Sequence, residues 1–385
     1  MADIVEINGY CDQRFSNVRD AFARAFEVEG DVGASFAATV DGEFVVDIWG
    51  GFADVARTRP WKKDTIVNVW STTKVMTALC ALMLVDRGQL DLDAPVSQYW
   101  PEFAQAGKEK ILVRHILSHT SGLAGFEETV TVEDLYNWDY MVGLLAAQKP
   151  WWEPGTKSGY HSITFGYLVG EVVRRITGRT LGTFFREEVA VPLGADFHIG
   201  LGTEHDTHVA ELIWPPTPQP GEPGYVNPED VPEIARKVAN VNPTFQATDT
   251  NQRAWRAAEI PSVNGHGNAH SVAQVAAIIA CGGELDGVRF LSMPTIEKAI
   301  EEQCYMTDLV LQVPIRWGLG FGLNAVETPI VPNPRAFFWY GAGGSVVVVD
   351  LDARVSFSYV MNRMGAGLIG DKRSVRPARA LYASL

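Results

Sequence analysis

The sequence predicts an α/β (α+β) fold: a central antiparallel sheet flanked by helices, built from both termini, with a mostly helical domain inserted between them. Three observations lead there. Segments rich in β-branched and aromatic residues, bounded by turn residues, lie near the N-terminus at 33–51 and again near the C-terminus at 321–361. The stretch between them carries apolar residues at helical spacing. The chain has 385 residues, 46% of them apolar, so it can bury a large core in two domains or in one domain with a large insertion. The expected division is a discontinuous sheet domain, 1–75 with 260–385, around a helical domain, 76–259.

Val18, Phe22 and Phe26 fall on one face of a predicted helix over 15–26. Residues 33–40 and 43–51 read as strands joined at Asp41-Gly42, a dipeptide suited to a tight hairpin. Helical patterns follow at 71–87, 113–118, 132–148 and 162–177, punctuated by Pro and Gly as in Trp151-Trp152-Glu153-Pro154-Gly155. The Pro-rich stretch 214–224 is expected to be an ordered surface loop of the helical domain. Helical signals return at 271–281. Strands are predicted at 321–323, 337–340, 345–350 and 355–361, the last two joined through Leu351-Asp352-Ala353-Arg354, before a closing helix at 375–385. No internal repeat is found.

A formal charge of -14 argues against nucleic acid and against an anionic membrane surface, since neither attracts a net anion. A small, uncharged molecule is the expected partner, with a homo-oligomer left open and no cofactor implied. No apolar stretch reaches the roughly 18 uncharged residues a bilayer span needs. The first residues, Met1-Ala2-Asp3-Ile4-Val5-Glu6, give no basic start followed by an apolar segment, so no secretory signal is expected. Cys11, Cys80, Cys281 and Cys304 are scattered without Cys-x-x-Cys pairing, which fits reduced thiols in the cytoplasm.

Ser71-Thr72-Thr73-Lys74 opens a long apolar run. Residues three apart share a helix face, so an amine at Lys74 can take the hydroxyl proton of Ser71. A helix start adds unpaired N–H groups and a partial positive charge that favour an oxyanion, and burial favours a neutral lysine. Taken alone the spacing is weak evidence, and an N-cap serine followed by a surface lysine is the commoner reason for it. A nucleophile also needs a base and oxyanion donors from elsewhere. Two segments suit: Gly155-Thr156-Lys157-Ser158-Gly159-Tyr160-His161-Ser162, with Tyr160 at a helix entrance, and Trp339-Tyr340-Gly341-Ala342-Gly343-Gly344-Ser345, a strand whose glycines let a backbone come close to something else.

Ser71-x-x-Lys74, Tyr160-x-Ser162 and Trp339-x-Gly341, in this order, resemble the serine β-lactamase and penicillin-binding-protein fold, most of all its class C-like branch with the family VIII carboxylesterases. Leu117-Ser118-His119-Thr120-Ser121-Gly122-Leu123, Asp91-Leu92-Asp93-Ala94-Pro95-Val96 and Gly265-His266-Gly267-Asn268-Ala269 support it, and the resemblance runs from about Gly33 to Asn362. It implies that Ser71 is the acyl-accepting nucleophile, that Lys74 and Tyr160 share the general base, and that the N–H groups of Ser71 and Ala342 form the oxyanion hole. Candidate substrate-binding residues are Trp339, Gly341, Ser162, His161 and Trp152. An ordinary phenol costs roughly 4 kcal/mol to ionise at pH 7, and one ammonium about 4 Å away supplies about that much.

The departures matter as well. Penicillin-recognising relatives usually carry Lys or His where Trp339 stands, and Asn where Ser162 stands. Both changes point from β-lactams towards simple, short-chain carboxylic esters. Hydrolysis of an aryl amide or β-lactam, or slow turnover by a penicillin-binding module, are the alternatives. A Ser-His-Asp triad on Ser121 or Ser345 lacks Gly-x-Ser-x-Gly. The pairs His115/His119 and His266/His270 lack the Glu of His-Glu-x-x-His, so packing or hydrogen bonding is expected of them and no metal. Trp151, Trp152 and Trp214 suit either an acyl pocket or packed loops, and His161 either the site or the helical core.

Overall fold

Nine strands form one sheet in which every neighbour is antiparallel. In chain order they are β1 (Ile7–Cys11), β2 (Gly33–Val40), β3 (Glu43–Gly51), β4 (Cys304–Thr307), β5 (Pro314–Trp317), β6 (Gly322–Leu323), β7 (Ala336–Tyr340), β8 (Val346–Asp350) and β9 (Val355–Met361). The spatial order is β1-β3-β2-β9-β8-β7-β6-β5-β4. The two ends of the chain therefore meet at the β2–β9 pairing, in register from Ala34↔Met361 to Val40↔Val355. The β2–β3 hairpin turns at Asp41 and Gly42 with φ of 52° and 88°, the left-handed values that a two-residue turn requires. This computed structural model describes residues 5–222, 225–326, 329–367 and 369–385; Pro223 and Gly224 of the expected Pro-rich loop lie outside them.

The longer helices are α1 (Ser16–Val28), α2 (Thr73–Asp86), α3 (Trp138–Ala147), α4 (Thr164–Thr177), α5 (Glu233–Val241), α6 (Ala269–Ala280) and α7 (Lys372–Ala383). Side chains alternate across a strand, and β9 shows what each sheet face meets. Phe357 and Tyr359 face α7 and α1, through Tyr382 at 6.4 Å and Phe22 at 6.3 Å between ring centres. Ser356 faces the other way and donates its hydroxyl to the Ala273 carbonyl of α6 at 2.7 Å. All five residues of β8 are buried, as expected of a central strand covered on both faces. Helix α2 is buried from Thr73 to Leu84, apolar all round apart from its threonines and one cation, Lys74.

Where the structure departs from the sequence expectation, local chemistry explains it. The helix predicted over 132–148 is broken: a short turn, Asp134–Tyr136, ends at Asn137, whose side chain accepts the Tyr140 N–H at 3.1 Å and starts α3 afresh. The closing helix begins at Lys372, capped by Asp371 on the Arg373 N–H, and tolerates Pro377 inside it. Strands β1, β4 and β5 carry mixed polar and apolar residues with partial exposure, and α5 is strongly amphipathic but follows Pro232 in a proline-rich region. The four cysteines are free thiols. Among the described residues no helix is long and apolar enough to cross a membrane.

Phe357 is 1% exposed and stacks on Phe36. Phe357→Ala is expected to destabilise the fold by about 3–5 kcal/mol, the usual effect of removing a buried aromatic, read from urea unfolding with little change in slope.

Candidate active site

Ser71 lies on a short turn, Trp70–Thr72, that leads into α2. Trp70 has φ of 49°, a left-handed conformation that in a bulky residue costs about 1–3 kcal/mol and persists only if the surroundings hold it. Here they do. The Trp70 indole packs against Trp214, Phe245 and Trp255 at 5.5–5.8 Å between ring centres. The preceding Val69 N–H donates to the Gly265 carbonyl at 2.9 Å, and Thr73 Oγ1 accepts the Gly265 N–H at 2.9 Å. The result leaves Ser71 9% exposed, just ahead of completely buried Thr72 and Lys74.

Lys74 Nζ lies 3.0 Å from Ser71 Oγ, 2.7 Å from the Ser162 carbonyl and 2.9 Å from the Ser262 carbonyl. Burial depresses its pKa well below the ordinary 10.5. A neutral amine has two N–H groups and one lone pair. Carbonyls only accept, so they take both N–H groups, and the lone pair faces the Ser71 hydroxyl.

Tyr160 completes the group. Its oxygen is near enough to the Ser71 hydroxyl for the serine to lower its pKa, and it accepts the Trp339 indole N–H at 3.0 Å. The ring sits among Trp317, Trp339 and His119, at 6.2, 5.1 and 5.1 Å between centres. Burial pushes the phenol pKa well above its ordinary value, and the Asp308 carboxylate pushes the same way, against the two hydrogen bonds. The expected compensation by a Lys74 ammonium is therefore corrected: Lys74 stands 4.8 Å from the ring centre and is itself favoured neutral. Tyr160 rests as a phenol.

The end of β7 lies against the Ser71 turn. A Cβ on Gly341 would stand 2.2 Å from the Val69 carbonyl oxygen and 2.2 Å from Ser345 Oγ, so only glycine fits there. Ser345 donates its hydroxyl to the Val69 carbonyl at 2.8 Å, while its Oγ lies 3.1 Å from Thr72 Oγ1. Among the described residues the N–H groups of Ser71 and Ala342 have no protein acceptor, which suits the oxyanion role expected of them.

Asp308 escaped the sequence reading. Completely buried, its carboxylate accepts the N–H groups of Tyr160, Val310 and Leu311 at 2.9–3.0 Å and the Ser158 hydroxyl at 3.1 Å. It fixes the backbone that presents Tyr160. Its only sequence signal is the Asp two or three residues before the N–H groups it binds, a common turn pattern. Asn242, also unforeseen, donates its side-chain N–H to Ser162 Oγ at 3.1 Å, while the Ser162 carbonyl holds Lys74.

Two candidate substrate-binding residues have scaffold roles instead. His161 is completely buried with both ring nitrogens engaged, one with Ser121 Oγ at 2.7 Å and one with the Gly159 carbonyl at 2.6 Å, and burial lowers its pKa to about 3. Trp152 donates to the Lys157 carbonyl at 2.9 Å and covers Gly159 with its ring. The Ser121–His161 pair has no carboxylate behind the histidine and no exposure, so it is no triad. Trp214 packs edge-to-face with Trp70, the residue before Ser71, and donates its indole N–H to Thr250 Oγ1. The spaced histidines diverge: His115 accepts the Leu112 N–H and His119 that of His161, while His266 pairs with the Asn264 carbonyl and His270 with Asp47. Asp196, His198 and His205 do bring ligand atoms within 4.8 Å of one another, but the Asp196–His198 hydrogen bond at 2.7 Å already accounts for that approach.

A family model for beta-lactamases matches residues 21–380, and the chain belongs to that family. It is 35% identical to "Esterase/beta-lactamase LipL" of Mycobacterium tuberculosis, over 97% of this chain and 88% of that protein. It is 32% identical to "Esterase EstB" of Burkholderia gladioli over 45% of this chain and 48% of that protein. Among solved structures, a family VIII carboxylesterase superposes with a TM-score of 0.90 and 43% identity, covering 99% of this chain and 100% of the other. A penicillin-binding protein homologue from Caulobacter crescentus gives 0.89 and 42%, with the same coverage.

Asp308→Ala strips the Tyr160 segment of a buried acceptor for four donors. It is expected to cost about 3 kcal/mol or more in thermal or urea unfolding, since each abandoned buried donor carries a desolvation penalty of about 1–3 kcal/mol.

Proposed function

We propose that the chain is a serine hydrolase that cleaves short-chain carboxylic esters through an acyl-enzyme on Ser71. The observation that carries this reading is the contiguous line Tyr160–Ser71–Lys74, with both amine N–H groups held by carbonyls and the lone pair left for the Ser71 proton. The esterase names of the relatives support the reaction class.

Ser71 Oγ attacks the ester carbonyl while its proton passes to Lys74. The developing oxyanion is stabilised by the N–H groups of Ser71 and Ala342. On collapse, the Tyr160 hydroxyl gives its proton to the departing alkoxide and is reprotonated from the Lys74 ammonium, so that amine and phenol return to neutrality. Water then repeats the sequence on the acyl-enzyme: its proton goes to the amine, the serine oxygen takes one from the phenol, and the acid leaves. Trp339 spends its N–H on Tyr160 and offers no cation for a substrate carboxylate, which favours uncharged esters.

Turnover of p-nitrophenyl acetate and butyrate tests the reading. Ser71→Ala is expected to lower kcat by about 10⁴ or more, and Lys74→Ala and Tyr160→Phe by about 10²–10⁴ each, the range for a lost proton-transfer group. Undiminished turnover by Ser71→Ala would end the proposal. Nitrocefin separates β-lactam hydrolysis, for which a far smaller kcat/KM than for the esters is expected. The pH profile carries a sign. The amine accepts a proton only when neutral, so kcat/KM rises with pH through the Lys74 ionisation, at a midpoint well below 10.5. Above that midpoint it stays level through the ordinary phenol range, because burial lifts the Tyr160 pKa.

A further inference from the structure

Behind the glycine loop that follows β7 lies a buried ion cluster that the reaction itself does not use. Arg373, at the start of α7, is 4% exposed, and all five of its N–H groups find acceptors. Nη1 donates to Asp31 Oδ1 at 2.8 Å and to the Arg363 carbonyl at 2.7 Å. Nε and Nη2 reach the Asp371 carboxylate at 3.0 and 2.5 Å. The remaining Nη2 hydrogen goes to the Gly343 carbonyl at 2.5 Å, which also accepts the Gly365 N–H at 2.7 Å. Asp31, 2% exposed, accepts the Tyr359 hydroxyl on its other oxygen.

The loop is built to accept this contact. Gly343 and Gly344 have φ of 84° and 126°, and a Cβ on Gly344 would lie 2.5 Å from Asp371 Oδ2 and 2.7 Å from Arg373 Nη2. The ion cluster thus presses directly on the backbone one and two residues past Ala342. On the other side of the loop, Gly341 rests on the Val69 carbonyl beside the nucleophile. Burying such charges is no efficient source of stability, because desolvation offsets the attraction and apolar residues pack as well. A buried guanidinium does give fixed direction, through a planar fork that a methylene chain or an ammonium lacks.

We propose that Arg373 is a positioning residue for the oxyanion hole: by holding the Gly343 carbonyl from behind, it fixes the direction of the Ala342 N–H toward the oxygen of the carbonyl that Ser71 attacks. This rests on the reading of Ala342 as an oxyanion donor, and it ties catalysis to the closing helix and, through Asp31, to the segment joining α1 to β2. The acceptors are specific, so the effect depends on the fork and not on the charge alone.

The test compares wild type, Ser71→Ala, Arg373→Met, Arg373→Lys and the double variant Asp31→Asn/Arg373→Met, measuring kcat and KM for p-nitrophenyl butyrate together with thermal unfolding. Arg373→Met leaves Asp31 buried without a cation and is expected to lower the unfolding temperature. The double variant removes that unpaired charge and recovers most of the temperature. Both, and Arg373→Lys, are expected to lose at least tenfold in kcat with KM within threefold of wild type, because the Gly343 carbonyl still lacks its planar donor. A purely structural role predicts that kcat returns with stability. Double-variant or Arg373→Lys turnover within twofold of wild type, or a loss expressed in KM alone, overturns the proposal. Should Ser71→Ala retain turnover, the ester-hydrolase reading itself fails; Ser71-dependent turnover that ignores Arg373 sinks only the positioning role.

Discussion

A single buried amine organises the centre of this molecule. Lys74 is the one cation in the buried span of α2, and keeping it charged there would cost several kcal/mol. The fold meets that constraint through burial, which favours the neutral amine, and by bringing two carbonyls to its N–H groups, one from the entrance of α4 and one from the segment before α6. Those carbonyls belong to chain segments about one hundred residues apart, so the helical region must close on α2 before the amine is satisfied. In the neutral amine, satisfying both N–H groups in this way directs the lone pair at Ser71. Structure and chemistry share one hydrogen-bond set.

The surroundings of Tyr160 follow the same logic with the sign reversed. An aromatic enclosure of Trp317, Trp339 and His119 disfavours a phenolate, and the only strong donor aimed at the oxygen from that enclosure is the Trp339 indole. That neutral donor holds the phenol in place and lowers its pKa, but burial outweighs it and the phenol stays protonated. Trp339 thus has a geometric role as well as a steric one.

Much of the fold was legible because its signals are local. The β2–β3 hairpin is specified by Asp41-Gly42 between two apolar runs, and β9 by an uninterrupted strand pattern that the structure reproduces from Val355 to Met361. The three motifs carried Ser71, Lys74, Tyr160 and Gly341 just past β7, and the structure brings those residues together. What the sequence concealed is long-range satisfaction of buried polar groups. Asp308 looks like a turn residue until its carboxylate is seen under Tyr160, and Arg373 like an ordinary helix-start cation until its five donors are counted. His161 misled because adjacency to Tyr160 along the chain says nothing about direction: it turns inward to Ser121. The break at Asn137 was hidden by an apolar periodicity that continues across a local cap.

The claim that a neutral Lys74 activates Ser71 is tested most directly by the pH dependence of covalent labelling with an uncharged p-nitrophenyl phosphonate, the adduct being located by peptide mass spectrometry. Modification of Ser71 is expected, at a rate that rises through one ionisation with a midpoint well below the 10.5 of an ordinary lysine, a limb that Lys74→Met abolishes. Modification of another serine, or a rate that climbs only in the ordinary lysine and phenol range, would contradict it.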